Sequence, residues 1–282
     1  MIRSLLFVPA DSERKIAKGL DGDADALILD LEDSVAPAHK SAARGLLRAL
    51  GPQERTLFVR INPLGPDLEA DLAAALAVRP FAVVLPKSNE GNDVVRLHAA
   101  LDVAEAEAGL EADAVRVLPI ATETARGALA VATYRDCSSR LWGLTWGAED
   151  LATDLGALAK RRADGSYRDP FRLARANCLL GAVAAGVSPV DTIFPDFRDD
   201  TALVRECEDA ALDGFVAKMA IHPAQVAAIN AAFTPSPQAV SEARAVVEAF
   251  RAAGDPGVVA LDGRMLDRPH LVAAERLLAR VG

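Results

Sequence analysis

Residues 26–50 read ALILDLEDSVAPAHKSAARGLLRAL. The apolar run Ala26–Leu31 suits a strand buried on both faces, and the Ala/Leu/Arg-rich stretch His39–Leu50 suits a helix laid against it. Acids crowd the point where the strand ends: Asp30, Glu32 and Asp33. Whether this unit stands alone or repeats decides the fold.

It repeats. Further apolar, β-rich runs occur at Ser4–Pro9, Thr56–Asn62, Ala82–Lys87, Arg116–Thr122, Leu141–Gly147, Val190–Phe194 and Phe215–His222. Between them lie segments of helical composition such as Asp67–Ala77, Asp93–Ala108 and Pro170–Ala185. Strand and helix in alternation imply parallel strands with crossover helices. A run of eight such units predicts an α/β protein, a (β/α)8 TIM barrel, rather than an open sheet. No G-x-G-x-x-G follows the first strand, which counts against a dinucleotide-binding fold. The barrel is expected over residues 1–230, with a C-terminal helical extension over 231–282. In that extension an amphipathic helix would start at Ser236-Pro237 or Ser241, followed by a loop, DPGVVALDGRMLD, and a last helix, Pro269–Arg280. The extension would cover its own active site or a neighbour's.

The 282 residues and 51% hydrophobic content allow a sizeable core. A net charge of -9 argues against a general nucleic-acid binder, because nothing offsets phosphate repulsion. The three cysteines are far apart and show no zinc spacing, so they read as thiols in a reducing compartment. With no cleavable leader and no uncharged apolar span, the chain is expected to be soluble and cytoplasmic.

Chemistry in such a barrel sits at the carboxyl ends of the strands. The polar residues there are Asp30, Glu32 and Asp33 after strand two, Arg60 and Asn62 on strand three, and Lys87 after strand four. Glu123 follows strand five, Glu149 and Asp150 follow strand six, Asp191 lies on strand seven, and His222 ends strand eight. Oxygen-only donors select a hard cation such as Mg2+, and Glu123 and Asp150, on adjacent strands, can share one ion. Arg60 and Lys87 would face an anionic substrate. Read singly, each acid is equally a helix cap or first-turn residue answering the helix dipole. Asp154 reads as an exposed or capping residue rather than a ligand, and Trp142 and Trp146 read as packing residues. Lys87 near a strand end is also the position of a Schiff-base lysine, though a carboxylate metal site makes that chemistry unnecessary. His39 and His98 read as solvated helix residues without partners at ligand spacing.

The motifs RSLLFVPAD, ALILDLEDSVAPAHK, FVRIN, VVLPK, ATETARG, GAEDLATDLG, VDTIF, KMAIHPAQV, FTPS and GRMLDRPH occur in that order. Together they make the chain resemble the citrate lyase beta-chain-like family of the HpcH/HpaI aldolase superfamily, which includes malyl-CoA, citramalyl-CoA and β-methylmalyl-CoA lyases. The resemblance runs nearly end to end. It implies a barrel of the phosphoenolpyruvate/pyruvate type, Mg2+ as cofactor, and a homotrimer or dimer of trimers. It implies a carbon-carbon lyase that cleaves a 3-hydroxy-acyl thioester of the citryl-, malyl- or citramalyl-CoA type to an acyl thioester and a 2-oxo acid such as oxaloacetate, glyoxylate or pyruvate.

Carried over residue by residue, Glu123 and Asp150 match the Mg2+ ligands, and Arg60 matches the arginine that binds the oxo-acid. The backbone of Gly147, Ala148, Glu149 and Asp150 would hold its carboxylate. Glu32 or Asp33 would take the hydroxyl proton. Asp267 matches a lid aspartate that reaches the adjacent subunit's site. Arg14, Lys18, Lys87 and His222 lie where relatives contact CoA. Two departures are Ala10 and Ala217, where relatives often carry glycine. The alternatives are a citrate lyase beta subunit acting on a citryl carrier-protein thioester and a non-catalytic barrel that binds oxo-acid or CoA. A pyruvate-type aldolase would place a histidine base after the strand-two glutamate, where this chain has Glu32-Asp33.

Overall fold

The structure is a computed structural model that describes residues 1–281. The chain divides into two compact units, residues 2–230 and the segment from Ala231 onward.

The first unit is a (β/α)8 barrel. Its strands are β1 (Ser4–Pro9), β2 (Ala26–Asp30), β3 (Leu57–Arg60), β4 (Ala82–Leu85), β5 (Arg116–Pro119), β6 (Gly143–Leu144), β7 (Ser188–Asp191) and β8 (Ala217–Ala220). They pair in parallel in the order β5-β4-β3-β2-β1-β8-β7-β6. Parallel bridges Val117–Leu141 and Ile120–Thr145 join β5 to the sixth strand region and close the ring. Strand six, read from the sequence as Leu141–Gly147, is therefore a two-residue strand flanked by single bridges. Its neighbours Trp142 and Trp146 are committed to aromatic packing and a side-chain hydrogen bond.

The helices are α1 (Glu13–Leu20), α2 (Lys40–Leu50), α3 (Leu68–Ala75), α4 (Gly91–Glu107), α5 (Ala125–Ala130), α6 (Ala148–Asp154), α7 (Asp169–Ala184), α8 (Asp200–Asp213) and α9 (Val226–Ala232). All five residues of β2 are buried, as a strand with core on one face and helices on the other requires. Inside the barrel, Leu5, Ile28, Phe58, Val84, Leu118 and Met219 belong to one cluster. Phe58, Phe81 and Trp142 pack against one another near the amino ends of the strands, with ring centroids 5.2–5.7 Å apart. That end is filled with packing, which leaves the opposite end for chemistry.

The second unit holds α10 (Pro237–Ala252), a two-stranded antiparallel sheet of β9 (Val258–Leu261) and β10 (Arg264–Asp267), and α11 (Arg268–Leu278). The Ser236 hydroxyl caps α10 by accepting the Ala239 N–H at 3.1 Å, and Pro237 takes the first helical position. The segment read as a loop is a hairpin. Asp262 and Gly263 both have positive φ, 50° and 74°, the pattern of a two-residue hairpin turn. Asp-Gly between VVAL and RMLD is the signal that identifies it. Phe250, Val259, Leu266 and Leu271 form this unit's own small core.

Candidate active site at the carboxyl ends of the strands

Asp30 and Arg60 are register partners at the ends of β2 and β3, so their side chains leave the sheet side by side. Arg60 donates from Nε and Nη2 to the two Asp30 oxygens, both at 2.7 Å. Its Nη1 lies 2.8 Å from Glu32 Oε2, and its guanidinium sits 4.7 Å from the Phe7 ring centre. Asp30 is fully buried and also accepts the N–H groups of Glu32 and Ser34, which folds the loop after β2 back over the strand end. Burial works against the Asp30 charge, but Arg60 outweighs it and holds the carboxyl below its usual range. Burial likewise opposes the Arg60 charge, and Asp30 and Glu32 outweigh it to raise its pKa.

Lys87 follows β4 in a left-handed backbone conformation, with φ 51°. Its N–H donates to Glu123 Oε2 at 2.6 Å. Its ammonium turns back to pair with Glu32 Oε1, and lies 3.3 Å from both Asp33 and Asp150. A lysine expected at a CoA arm thus has its charge committed to carboxylates.

Glu123 is 3% exposed and follows β5. Burial first, and then the nearby charges of Asp150 and Glu32, push its pKa up to about 8 despite the Lys87 N–H. Gly147, just before α6, makes room for it. A Cβ there would fall 2.7 Å from Glu123 Cγ. Asp150 stands in the first turn of α6. Asp154, one turn later, accepts the Ala125 N–H at 2.7 Å and so ties α6 to the segment that carries Glu123. Glu149 turns aside to pair with Lys160.

A cavity of about 270 Å3 opens among these residues, lined by Asp33, Arg60, Glu123 and the stretch 147–150, with Phe7, Trp146 and Ile221 among its apolar walls. Glu32 is 2% exposed and is not among the lining residues. Arg14 and Lys18 are exposed on α1 and do not line the cavity. His222 caps a short turn, accepting the Ala224 N–H, and stacks on Phe197 at 4.6 Å. Asp267 belongs to the second unit, where it starts α11 and pairs with His270 at 2.5 Å.

Two supports went unread in the sequence. One is Asp30, noted as a strand-end acid but given no role. The other is Trp146, whose indole N–H donates to Asp191 at 2.7 Å. Asp191 is itself held by Lys218 at 2.8 Å and Arg175 at 3.3 Å. Paired opposite charges on adjacent buried strands, Asp191 and Lys218, were the signal available.

The residues fit a divalent cation. Asp30 already balances Arg60, which leaves Glu32, Asp33, Glu123 and Asp150 against the single ammonium of Lys87. The donors are all oxygen, which suits a hard ion. Burial first, and then the charges of Asp150 and Glu32, raise the pKa of Glu123. A second cluster, His98, Asp102 and Asp113, has ligand atoms within 4.8 Å of one another. There the buried Arg140 guanidinium supplies the cation, 2.6 Å from Asp102 and 3.2 Å from Asp113. His98 also bonds Ser138 at 2.8 Å, so the reading of this histidine as solvated and without a partner at ligand spacing is corrected. His39 is exposed, as read, and lies 3.5 Å from Asp11.

Residues 3–223 match the family described as HpcH/HpaI aldolase/citrate lyase, and residues 177–281 match a family of C-C bond lyases of the TIM-barrel fold. A citrate lyase subunit beta-like protein of Mycobacterium tuberculosis is 40% identical over 278 residues, spanning 98% of this chain and 94% of its own. A (3S)-malyl-CoA thioesterase of Cereibacter sphaeroides is 36% identical over 293 residues, spanning 99% and 94%. The crystal structure of CitE from M. tuberculosis in complex with magnesium, acetoacetate and coenzyme A superposes with a TM-score of 0.79 at 38% identity, covering 99% of this chain and 98% of that one. No described helix is long and apolar enough to cross a membrane.

Proposed function

The chain belongs to the HpcH/HpaI aldolase/citrate lyase family, and from that premise we propose that it is a Mg2+-dependent carbon-carbon lyase. Its substrate class is a 3-hydroxy-acyl thioester of the citryl-, malyl- or citramalyl-CoA type, cleaved to an acyl thioester and a 2-oxo acid. The observation that carries this reading is the convergence of Arg60, Glu123 and Asp150 on one cavity. The magnesium and coenzyme A named for the related crystal structure support it.

Glu123 and Asp150 would hold the Mg2+, which when bound supplies Lewis-acid stabilisation of negative charge on substrate oxygen. Arg60 presents its remaining N–H donors to the substrate carboxylate and the hydroxyl oxygen, a charge-assisted clamp kept in place by Asp30. Asp33 is the better placed of the two acids after β2 to take the hydroxyl proton. It lines the cavity and is 60% exposed, whereas both Glu32 oxygens are engaged by Arg60 and Lys87. As the C–C bond breaks, its electron pair passes into the thioester enolate, a better-stabilised carbanion than that of a free carboxylate. The backbone of 147–150 would hold the oxo-acid carboxylate. Asp267 of the partner subunit would protonate the enolate carbon, so the working site would need an oligomer, a homotrimer or a dimer of trimers.

The test is turnover of malyl-CoA, citramalyl-CoA, β-methylmalyl-CoA and citryl-CoA with Mg2+ and with EDTA, for wild type and Glu123→Gln. Release of oxo-acid from one thioester, lost in EDTA and in the variant, is expected. Equal turnover in EDTA overturns the metal reading. The second reading is hydrolysis of the thioester, favoured by the name of the C. sphaeroides relative. In that case free thiol and the hydroxy acid are released, with no oxo-acid.

A further inference from the structure

Lys87 does two things that pull in opposite directions. Its N–H holds Glu123 Oε2 at 2.6 Å, which fixes one proposed metal ligand. Its ammonium lies 3.3 Å from Asp150 Oδ1, which is the other. The residue stands in a left-handed conformation, φ 51°, uncommon for a residue with a side chain. The same ammonium bridges to Glu32 and Asp33, so it links the acids that follow β2 with Asp150 of α6.

A dication on Glu123 and Asp150 therefore has a monovalent cation sharing an oxygen-bearing group with it. In a half-buried site such like charges repel strongly and salt screens them little. We infer that Lys87 tunes the affinity of this site for its divalent cation: its backbone shapes the ligand set while its charge competes for Asp150. The inference rests on the metal reading of Glu123 and Asp150. Its consequence is that Mg2+ alone binds weakly. An oxo-acid anion held by Arg60 and the 147–150 backbone adds negative charge beside the metal ligands and offsets the repulsion, so metal and oxo-acid bind together more tightly than either does alone.

The test is calorimetric titration of the full chain with MgCl2, with and without pyruvate. Lys87→Met removes the charge, Lys87→Gln removes it while keeping hydrogen-bonding capacity, and Lys87→Arg keeps it. The neutral variants are expected to bind Mg2+ at least about tenfold more tightly than wild type. Lys87→Arg should stay within about threefold, and pyruvate should enhance Mg2+ binding less in the neutral variants than in wild type. A folded neutral variant, Met or Gln, that binds Mg2+ no more tightly than wild type overturns the inference. Glu123→Gln and Asp150→Asn separate the two levels. If they leave Mg2+ affinity unchanged, the metal reading fails and takes this inference with it. If they abolish binding while the neutral Lys87 variants do not tighten it, only the role of Lys87 falls.

Discussion

Asp154 of α6 accepts the backbone N–H of Ala125 at 2.7 Å. Asp150 lies one turn before Asp154, and Glu123 lies two residues before Ala125, so this bond joins the two elements that carry the proposed metal ligands. The donor is one of the first-turn N–H groups that a helix leaves unsatisfied. Asp154→Ala is expected to lower stability by about 0.5–2 kcal/mol, the usual range for loss of a cap. It should also weaken Mg2+ binding severalfold, because this bond holds the helix that carries Asp150 to the segment that carries Glu123. Thermal unfolding and calorimetry check the two effects, and an unchanged Mg2+ affinity would reduce Asp154 to a cap.

Asp30 predicts a larger loss. It is fully buried and meets the Arg60 guanidinium with both oxygens. Asp30→Asn leaves a half-compensated guanidinium in a buried place, which costs about 3–5 kcal/mol in comparable pairs. Urea unfolding should show that loss together with weaker oxo-acid binding. A variant as stable as wild type would mean that Glu32 alone can hold Arg60.

The Glu123 carboxyl sets a pH dependence. Its folded pKa of about 8 lies above the ordinary 4.5, so the folded state holds a proton that the unfolded chain releases. Its contribution to stability in EDTA is fully present below the unfolded value and is lost as pH rises through about 8. Glu123→Gln has no such proton to lose. In EDTA, the unfolding temperature of this variant minus that of wild type should grow between pH 5 and pH 8. A flat difference would contradict the crowding of Glu123 by burial and by Asp150.

Asp267 tests the proposed sharing of sites between subunits. Asp267→Ala should abolish turnover while leaving oxo-acid binding intact. Mixed with inactive Glu123→Gln chains and allowed to exchange subunits, it should regain part of the activity, because some sites then receive both intact residues. No recovery from a mixture shown to have exchanged would assign Asp267 to its own subunit's site or to none.

The barrel was legible because each strand is a short apolar run followed by a helical segment, and burial on both faces forces that pattern on the sequence. Its weakest strand was the least legible. Around Gly143–Leu144 the ladder is reduced to single bridges, and an apolar run does not reveal where pairing stops. Arg60, Glu123 and Asp150 were legible as site candidates because the carboxyl ends of strands are where polar residues have no packing reason to gather, and the three line one cavity. Lys87 was harder. Its position after β4 is plain, but its left-handed turn is not encoded by a glycine, and its pairing with Glu32 leaves no trace in the spacing. Trp146 and Asp191 read as packing and as a strand-end acid, because a hydrogen bond between adjacent buried strands leaves no periodic trace.

The central claim is that the chain breaks a C–C bond rather than a thioester bond. The most direct measurement incubates each of the four thioesters with the protein and Mg2+, and quantifies oxo-acid and free thiol in the same quenched samples. The account predicts that one thioester yields oxo-acid with the acyl thioester intact, and that EDTA suppresses it. Free thiol matched by the hydroxy acid, with no oxo-acid at any time, would contradict it.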